Sequence, residues 1–247
     1  MPRFAQPDDV SCGPTCLAQV LAWYGDLRSI SELTARLRRN PDGGTMAVHL
    51  GQLALELGYR ARIYPFGVRV FDPTWWELDP AALRARLVAR QERQEDPTER
   101  VLLGFWTRFL ESGGQVRFGE PSASMLVGVL RKDRPLICGL NATWLYRESR
   151  EDPWTNQPDD IGGAQVGHFV TLVGYTGAGL HIHVNDPSDA APFAAGGDHG
   201  DLRNGRYPLP ADRLLHAILL GDSTRDAMVL EIWPSSPVPK HRGGHGA

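Results

Sequence analysis

Gln6-Pro7-Asp8-Asp9-Val10-Ser11-Cys12-Gly13-Pro14-Thr15-Cys16-Leu17-Ala18-Gln19-Val20-Leu21-Ala22-Trp23-Tyr24-Gly25 reads as a loop that turns into a helix at a cysteine. Pro14 suits a first helical turn, where its missing N–H costs nothing. Leu17, Val20, Leu21 and Tyr24 recur at helical spacing, and Gly25 is a natural stop. A thiol at Cys12 meets the free N–H groups and the positive end of the helix, and both favour negative charge on sulfur. Gln6, six residues upstream, offers a side-chain amide as donor to an oxyanion near that sulfur. The competing reading is structural, because small residues and buried cysteines are common at helix starts.

Two distant segments weigh against the structural reading. Gly167-His168-Phe169-Val170-Thr171-Leu172-Val173-Gly174-Tyr175 is an apolar strand opened by a histidine, and Val184-Asn185-Asp186-Pro187-Ser188 ends the next strand on an acid. Cysteine on a helix start, histidine opening one strand and aspartate closing the next make a Cys–His–acid set in order and kind. His168 is the expected general base and Asp186 its orienter, with Asn185 as the fallback for that role.

These motifs resemble a papain-like cysteine peptidase, closest to the bacteriocin-processing (double-glycine leader) peptidases and their stand-alone relatives. Gln6, Cys12, Gly13 and Cys16 stand in that family's Gln-x5-Cys-Gly-x-x-Cys/Ala pattern. His168-Phe169-Val170 and Asp186-Pro187 match its second and third motifs. The resemblance implies an α+β, papain-like fold. Its N-terminal helical half carries the nucleophile and packs on a mostly antiparallel C-terminal sheet carrying His168 and Asp186. It also implies hydrolysis of a peptide or peptide-like amide through an acyl-thioester on Cys12. Acyl transfer to an amine on the same triad and an inactive peptide-binding domain are the alternatives. The motifs lie at the two ends of the domain and say little of residues 26–165.

Composition agrees with a globular protein. The 247 residues are 42% hydrophobic, and the formal charge of -3 gives no electrostatic case for nucleic acid or an anionic membrane. No apolar run approaches a bilayer span, and no signal-peptide pattern opens the chain. Three cysteines, two of them four residues apart on one helix, do not suggest a disulfide framework. A reducing cytoplasm is therefore the expected compartment. No segment suggests the transporter or ATPase parts of the fused family members, and nothing signals a cofactor.

One domain is expected over residues 1–234, with a helical insertion around 71–134 and a disordered tail over 235–247. Ser31 is read as the cap of a short helix carrying Leu33 and Leu37, and Thr45 as preceding a stronger one. Arg62–Phe66 reads as a strand. In the insertion, helices are expected from Pro80 to about Gln94, from Pro97 to Glu111 and after Ser122, with a short strand at Gln115–Phe118. The arginines of the first of these helices, mixed with acids, read as a solvated face. Pro135–Leu140 is a buried strand, with Cys138 in the core.

Asn141–Gly167 is a long polar connection leading into His168, and its acidic residues are expected to help select substrate. Thr176-Gly177-Ala178-Gly179 marks a hairpin, Ala190–Tyr207 a loop, Pro210 the start of a helix and Ala227–Trp233 a last strand. Cys16 is expected to pack beneath the site. His181 and His183 share one strand face; with Cys12, Asp186 and His199 they leave a zinc site conceivable, but a solvent-facing strand explains them more simply, and no metal is expected.

Overall fold

The computed structural model describes residues 1–39, 44–177, 181–189, 205–221, 225 and 227–236. Three helices come first: α1 (Cys12–Trp23), α2 (Ile30–Arg36) and α3 (Ala47–Glu56). Strand β1 (Tyr59–Pro65) follows, then α4 (Pro80–Arg93), α5 (Pro97–Glu111), the short β2 (Gln115–Val116) and α6 (Ala123–Leu130). Next come β3 (Leu136–Asn141), α7 (Ala142–Tyr146), β4 (Gly167–Thr176) and β5 (His181–Asn185). The chain closes with β6 (Arg206–Pro210), α8 (Ala211–Leu220) and β7 (Met228–Pro234).

The seven strands form one sheet in the order β2-β1-β7-β3-β4-β5-β6. All neighbours run antiparallel except β1 and β2. Both faces are covered. Leu17 and Leu21 of α1, Leu50 of α3 and Phe109 of α5 pack with Ile63, Ile137 and Phe169 on one side. Leu126 of α6, Leu145 of α7 and Leu214 and Ile218 of α8 pack with Val170, Leu172 and Val184 on the other. Strand β3 is wholly buried, which explains why Pro135–Leu140 carries no polar alternation. The α+β class and the helical half set against an antiparallel sheet are those the motifs implied.

Local signals place most boundaries. Asp79 accepts from the Ala82 N–H at 2.8 Å and Asp96 from the Thr98 N–H at 2.7 Å, and each is followed by a proline in the first turn. Ser122 caps α6 through the Met125 N–H. The cap of α2 is Ser29 rather than Ser31: its hydroxyl takes the Glu32 N–H at 3.1 Å, and Ser31 is already inside the helix.

Two elements depart from expectation. Asn141–Gly167 is not a continuous loop, since its first residues form α7, capped by the Asn141 carboxamide accepting from the Trp144 N–H at 2.9 Å. Tyr207 belongs to a strand, β6, rather than to the preceding loop. At the far end Ser235 donates to the Gly58 carbonyl at 2.7 Å. The rest of the expected tail, 237–247, lies outside the described residues, as do 190–204 with His199 and the hairpin residues 178–180.

Candidate active site

Cys12 is the first residue of α1 and is partly exposed. No side chain caps this helix start, although the first helical bond, Thr15 N–H to the Ser11 carbonyl, is in place at 3.1 Å. Gly13 is required by contact. A Cβ there would collide with the Thr45 methyl group and touch Leu50, so the start of α1 lies hard against the segment entering α3.

His168 is the second residue of β4, paired with Leu140 of β3, and is only 8% exposed. Its Nε2 meets Asp186 Oδ1 at 2.9 Å. The ring is also within hydrogen-bonding reach of Cys12. Since Nε2 is committed to Asp186, the sulfur falls to Nδ1. Burial by itself pulls the imidazole pKa down, but the Asp186 charge and hydrogen bond, with the contact to Cys12, outweigh it and raise the pKa to about 10. The ring is therefore an imidazolium at neutral pH.

Asp186 follows β5 and is fully buried. Oδ1 accepts from His168 and from the Ser188 N–H at 2.9 Å. Oδ2 accepts from the Tyr146 and Tyr207 hydroxyls, each at 2.5 Å. Burial favours the neutral acid, yet the imidazolium and these donors hold the carboxyl below its ordinary range. Both phenols are pushed well up, by burial first and then by the Asp186 charge, so they stay protonated and keep donating.

The N-terminal segment fastens the aspartate turn. Arg3 donates from Nε to the Asp186 carbonyl at 2.8 Å and from Nη2 to the Pro187 and Ser188 carbonyls at 3.2 and 3.1 Å; its Nη1 pairs with Asp189 at 2.6 Å. Gly205, at φ +61°, lets this happen, because a Cβ there would strike both the guanidinium and the Asp186 carbonyl. Asn185, the alternative orienter, donates instead to the Pro2 carbonyl at 3.2 Å.

Gln6 donates its backbone N–H to the Pro187 carbonyl at 2.9 Å. Its Nε2 donates to the Asp8 carbonyl at 2.9 Å, the same carbonyl that takes the Ser11 N–H just before Cys12. The amide thus sits at the turn into α1 with one N–H uncommitted, while its Oε1 is buried without a partner.

No family model matches the chain, and no curated protein sequence matches it. Several solved structures are similar to it, including the following two. One is the peptidase domain of Streptococcus ComA, a bi-functional ABC transporter involved in a quorum-sensing pathway. It is 14% identical, with 94% of this chain and 98% of that one covered and a TM-score of 0.44. The other is described as a C39-like peptidase from Bacillus anthracis: 14% identity, 96% of each chain covered, TM-score 0.49. The first is described as a peptidase domain, and the second is named for its likeness to one. At this identity the likeness concerns the fold, and the roles of the residues rest on the site's own geometry.

The remaining candidates fall outside the constellation. Cys16, fully buried, donates to the Phe169 carbonyl at 3.3 Å, and burial pushes its pKa well up, so it packs under the site as a neutral thiol. Cys138 is core. His183 meets the Thr176 hydroxyl at 3.3 Å, and among the described residues no group of three metal-binding side chains converges. Likewise, no described helix is long and apolar enough to cross a membrane.

The acidic connection does border the site. Glu151 feels the charge of Asp9 in the turn before Cys12, and burial and that charge raise its pKa. A cavity of about 410 Å³ opens between this connection and α7, lined by Trp144, Glu148, Asp160 and Gln165 among others. Sequence reading missed Tyr146, Tyr207, Arg3 and Gly205. For Tyr146 the one local signal was the Asn141 cap.

Proposed function

We propose that the protein is a cysteine peptidase that hydrolyses a peptide or peptide-like amide through an acyl-thioester on Cys12. One observation carries this: the buried His168 ring is within reach of the one partly exposed cysteine and, through Nε2 at 2.9 Å, of a fully buried carboxylate that favours its charged form. An imidazolium is the counter-charge a thiolate needs.

In this reading the Cys12 sulfur attacks the substrate carbonyl. The oxyanion takes the Cys12 backbone N–H at the uncapped helix start and the spare N–H of Gln6. His168 passes its Nδ1 proton to the leaving amine, and the C–N bond breaks to leave the thioester. The neutral imidazole then accepts a proton from water as it attacks, and the collapsing intermediate expels the sulfur. Asp186 keeps the ring turned throughout and favours its charged form before acylation and after deacylation; the carboxylate itself never takes up the proton. The connection over residues 147–165, with its carboxylates and the exposed Trp154 and Ile161, selects the substrate.

Alkylation of the native protein with iodoacetamide at neutral pH tests the nucleophile. Cys12 is expected to react much faster than Cys16 or Cys138, and His168→Ala to slow it. Equal rates at all three sulfurs would reject the assignment. A peptide-library cleavage screen, with Cys12→Ala as the inactive control, then defines the substrate. Added amines that divert product would mark transfer instead of hydrolysis.

A further inference from the structure

A second constellation lies in the helical half and plays no part in the chemistry above. The segment Arg36–Arg38 after α2, helix α3 and helix α5 enclose a cavity of about 220 Å³. His49 of α3 lines it and is only 6% exposed, yet neither ring nitrogen completes a hydrogen bond. The Arg38 carbonyl, which also accepts from the Thr45 hydroxyl at 3.3 Å, is close enough to favour a proton on one ring nitrogen, and nothing stands against the other. One face of the imidazole is fixed edge-on to Phe105, with ring centroids 4.6 Å apart. The Arg38 guanidinium sits over the same Phe105 ring at 5.0 Å.

Arg36, Arg38 and Arg108 all line the cavity, and none of them forms an ion pair among the described residues. The one carboxylate in the lining, Glu56, accepts from Gln52 Nε2 at 3.3 Å. Three guanidiniums without an ion pair, set against one carboxylate, and a buried imidazole with an unpartnered ring nitrogen make a net-positive site. Buried polar groups are nearly always satisfied, so an unmet one facing an open cavity points to a missing partner. Guanidinium forks match the flat or tetrahedral oxygens of carboxylate and phosphate.

We propose that this cavity binds a small oxyanion, a phosphate or carboxylate group, held by Arg38 and Arg108 with His49 as the buried donor. Burial first, and then the Arg38 charge, depress the His49 pKa to about 4. A bound anion offsets the Arg38 charge and accepts from the protonated ring, so it raises that pKa. The other charged groups facing the ring are Arg36, Arg108 and Glu56. The site is also mechanically close to the nucleophile, because the next residue, Leu50, packs against Gly13 at the start of α1.

The test is a nitrogen-15 NMR titration of the His49 ring in the full chain. Inorganic phosphate and N-acetylaspartate are added separately, with sodium chloride at matched ionic strength as the reference. Saturable ring shifts and an upward-moving His49 pKa are expected with at least one of the two anions. A response to phosphate alone marks a free inorganic anion as the source, and a response to N-acetylaspartate an acidic side chain. Arg38→Gln with Arg108→Gln, both at exposed positions and with the fold checked by circular dichroism, is expected to weaken binding at least tenfold. Shifts that follow ionic strength alone, or that persist unchanged in the double variant, overturn the proposal and leave a water-filled cavity.

Discussion

Two fully buried carboxylates share this sheet, Asp186 and Glu231, and they are neutralised in opposite ways. Glu231, in β7 opposite Arg62 of β1, meets Arg62 at 3.2 Å and Arg134 at 2.6 Å and accepts from the Tyr64 hydroxyl at 2.8 Å. Both guanidiniums also sit over the Trp233 ring, at 5.1 and 4.7 Å. Arginine does not release its proton in proteins, so these two counter-ions are fixed and brace the sheet. Among the described residues the Asp186 carboxylate has a single cationic partner, and that partner is histidine, which does release its proton. Two phenols take up the lone pairs that a second arginine would otherwise fill. A fixed counter-ion makes scaffold; a removable one makes a site for proton transfer.

The sharpest break is Asp186→Asn. It preserves shape but removes the charge that keeps His168 protonated; the same change in a serine triad costs about 10⁴ in rate, which sets the scale. Both Cys12 alkylation and peptide cleavage should fall, with the fold intact by circular dichroism. A loss under tenfold would mean that His168 does not depend on this carboxylate.

Next in size is pH-dependent stability. His168 has a folded pKa near 10, above the ordinary unfolded value of about 6.5, so its contribution is complete below about pH 6.5 and is lost as pH rises toward 10. Asp186 is depressed, so its contribution is present above about pH 3.9 and is lost as pH falls through its folded value. Urea unfolding should therefore lose on the order of a few kcal/mol between pH 6.5 and pH 10. In His168→Gln that slope should flatten. In the Glu231 cluster the arginines stay charged, and only Tyr64, whose pKa burial raises, adds to it at the alkaline end of the range. A slope unchanged in the variant would place the titration elsewhere.

Glu231→Gln is smaller and opposite in kind. It should cost about 1–3 kcal/mol in urea unfolding while leaving the cleavage rate of the folded protein within about twofold. A rate collapse comparable to that of Asp186→Asn would erase the distinction between the two carboxylates.

The reach of the sequence follows the same division. Cys12, His168 and Asp186 were legible because each sits at an element boundary with its own punctuation: Pro14 in a first turn, an apolar run after His168, a proline after Asp186. The insertion helices were legible through Asp79-Pro80, Asp96-Pro97 and Ser122. Tyr207 was not. Its strand, Arg206–Pro210, carries Pro208 and Pro210, which argue against a strand except at an edge. β6 is an edge strand, paired only to β5, and that is a fact of topology rather than of local pattern. Tyr146 ends a five-residue helix, too short to show a period. Neither the insertion of β7 between β1 and β3 nor the return of Arg3 to the Asp186 turn leaves any local trace, since each joins residues nearly a whole chain apart.

The finest test sets one tyrosine against another. Tyr207→Phe removes one of two hydroxyls from Asp186 Oδ2, while Tyr146, the Ser188 N–H and His168 remain. The charged carboxylate loses a donor, so its pKa rises. The acid limb of the cleavage profile should move to higher pH, and the rate at neutral pH should fall about tenfold, the scale of one charge-assisted hydrogen bond. Tyr64→Phe makes the matching cut at Glu231 and should cost about 1 kcal/mol of stability with no movement of the profile. If both variants lower stability and neither moves the acid limb, the phenols at Asp186 are packing groups, and the removable charge there owes its state to His168 alone.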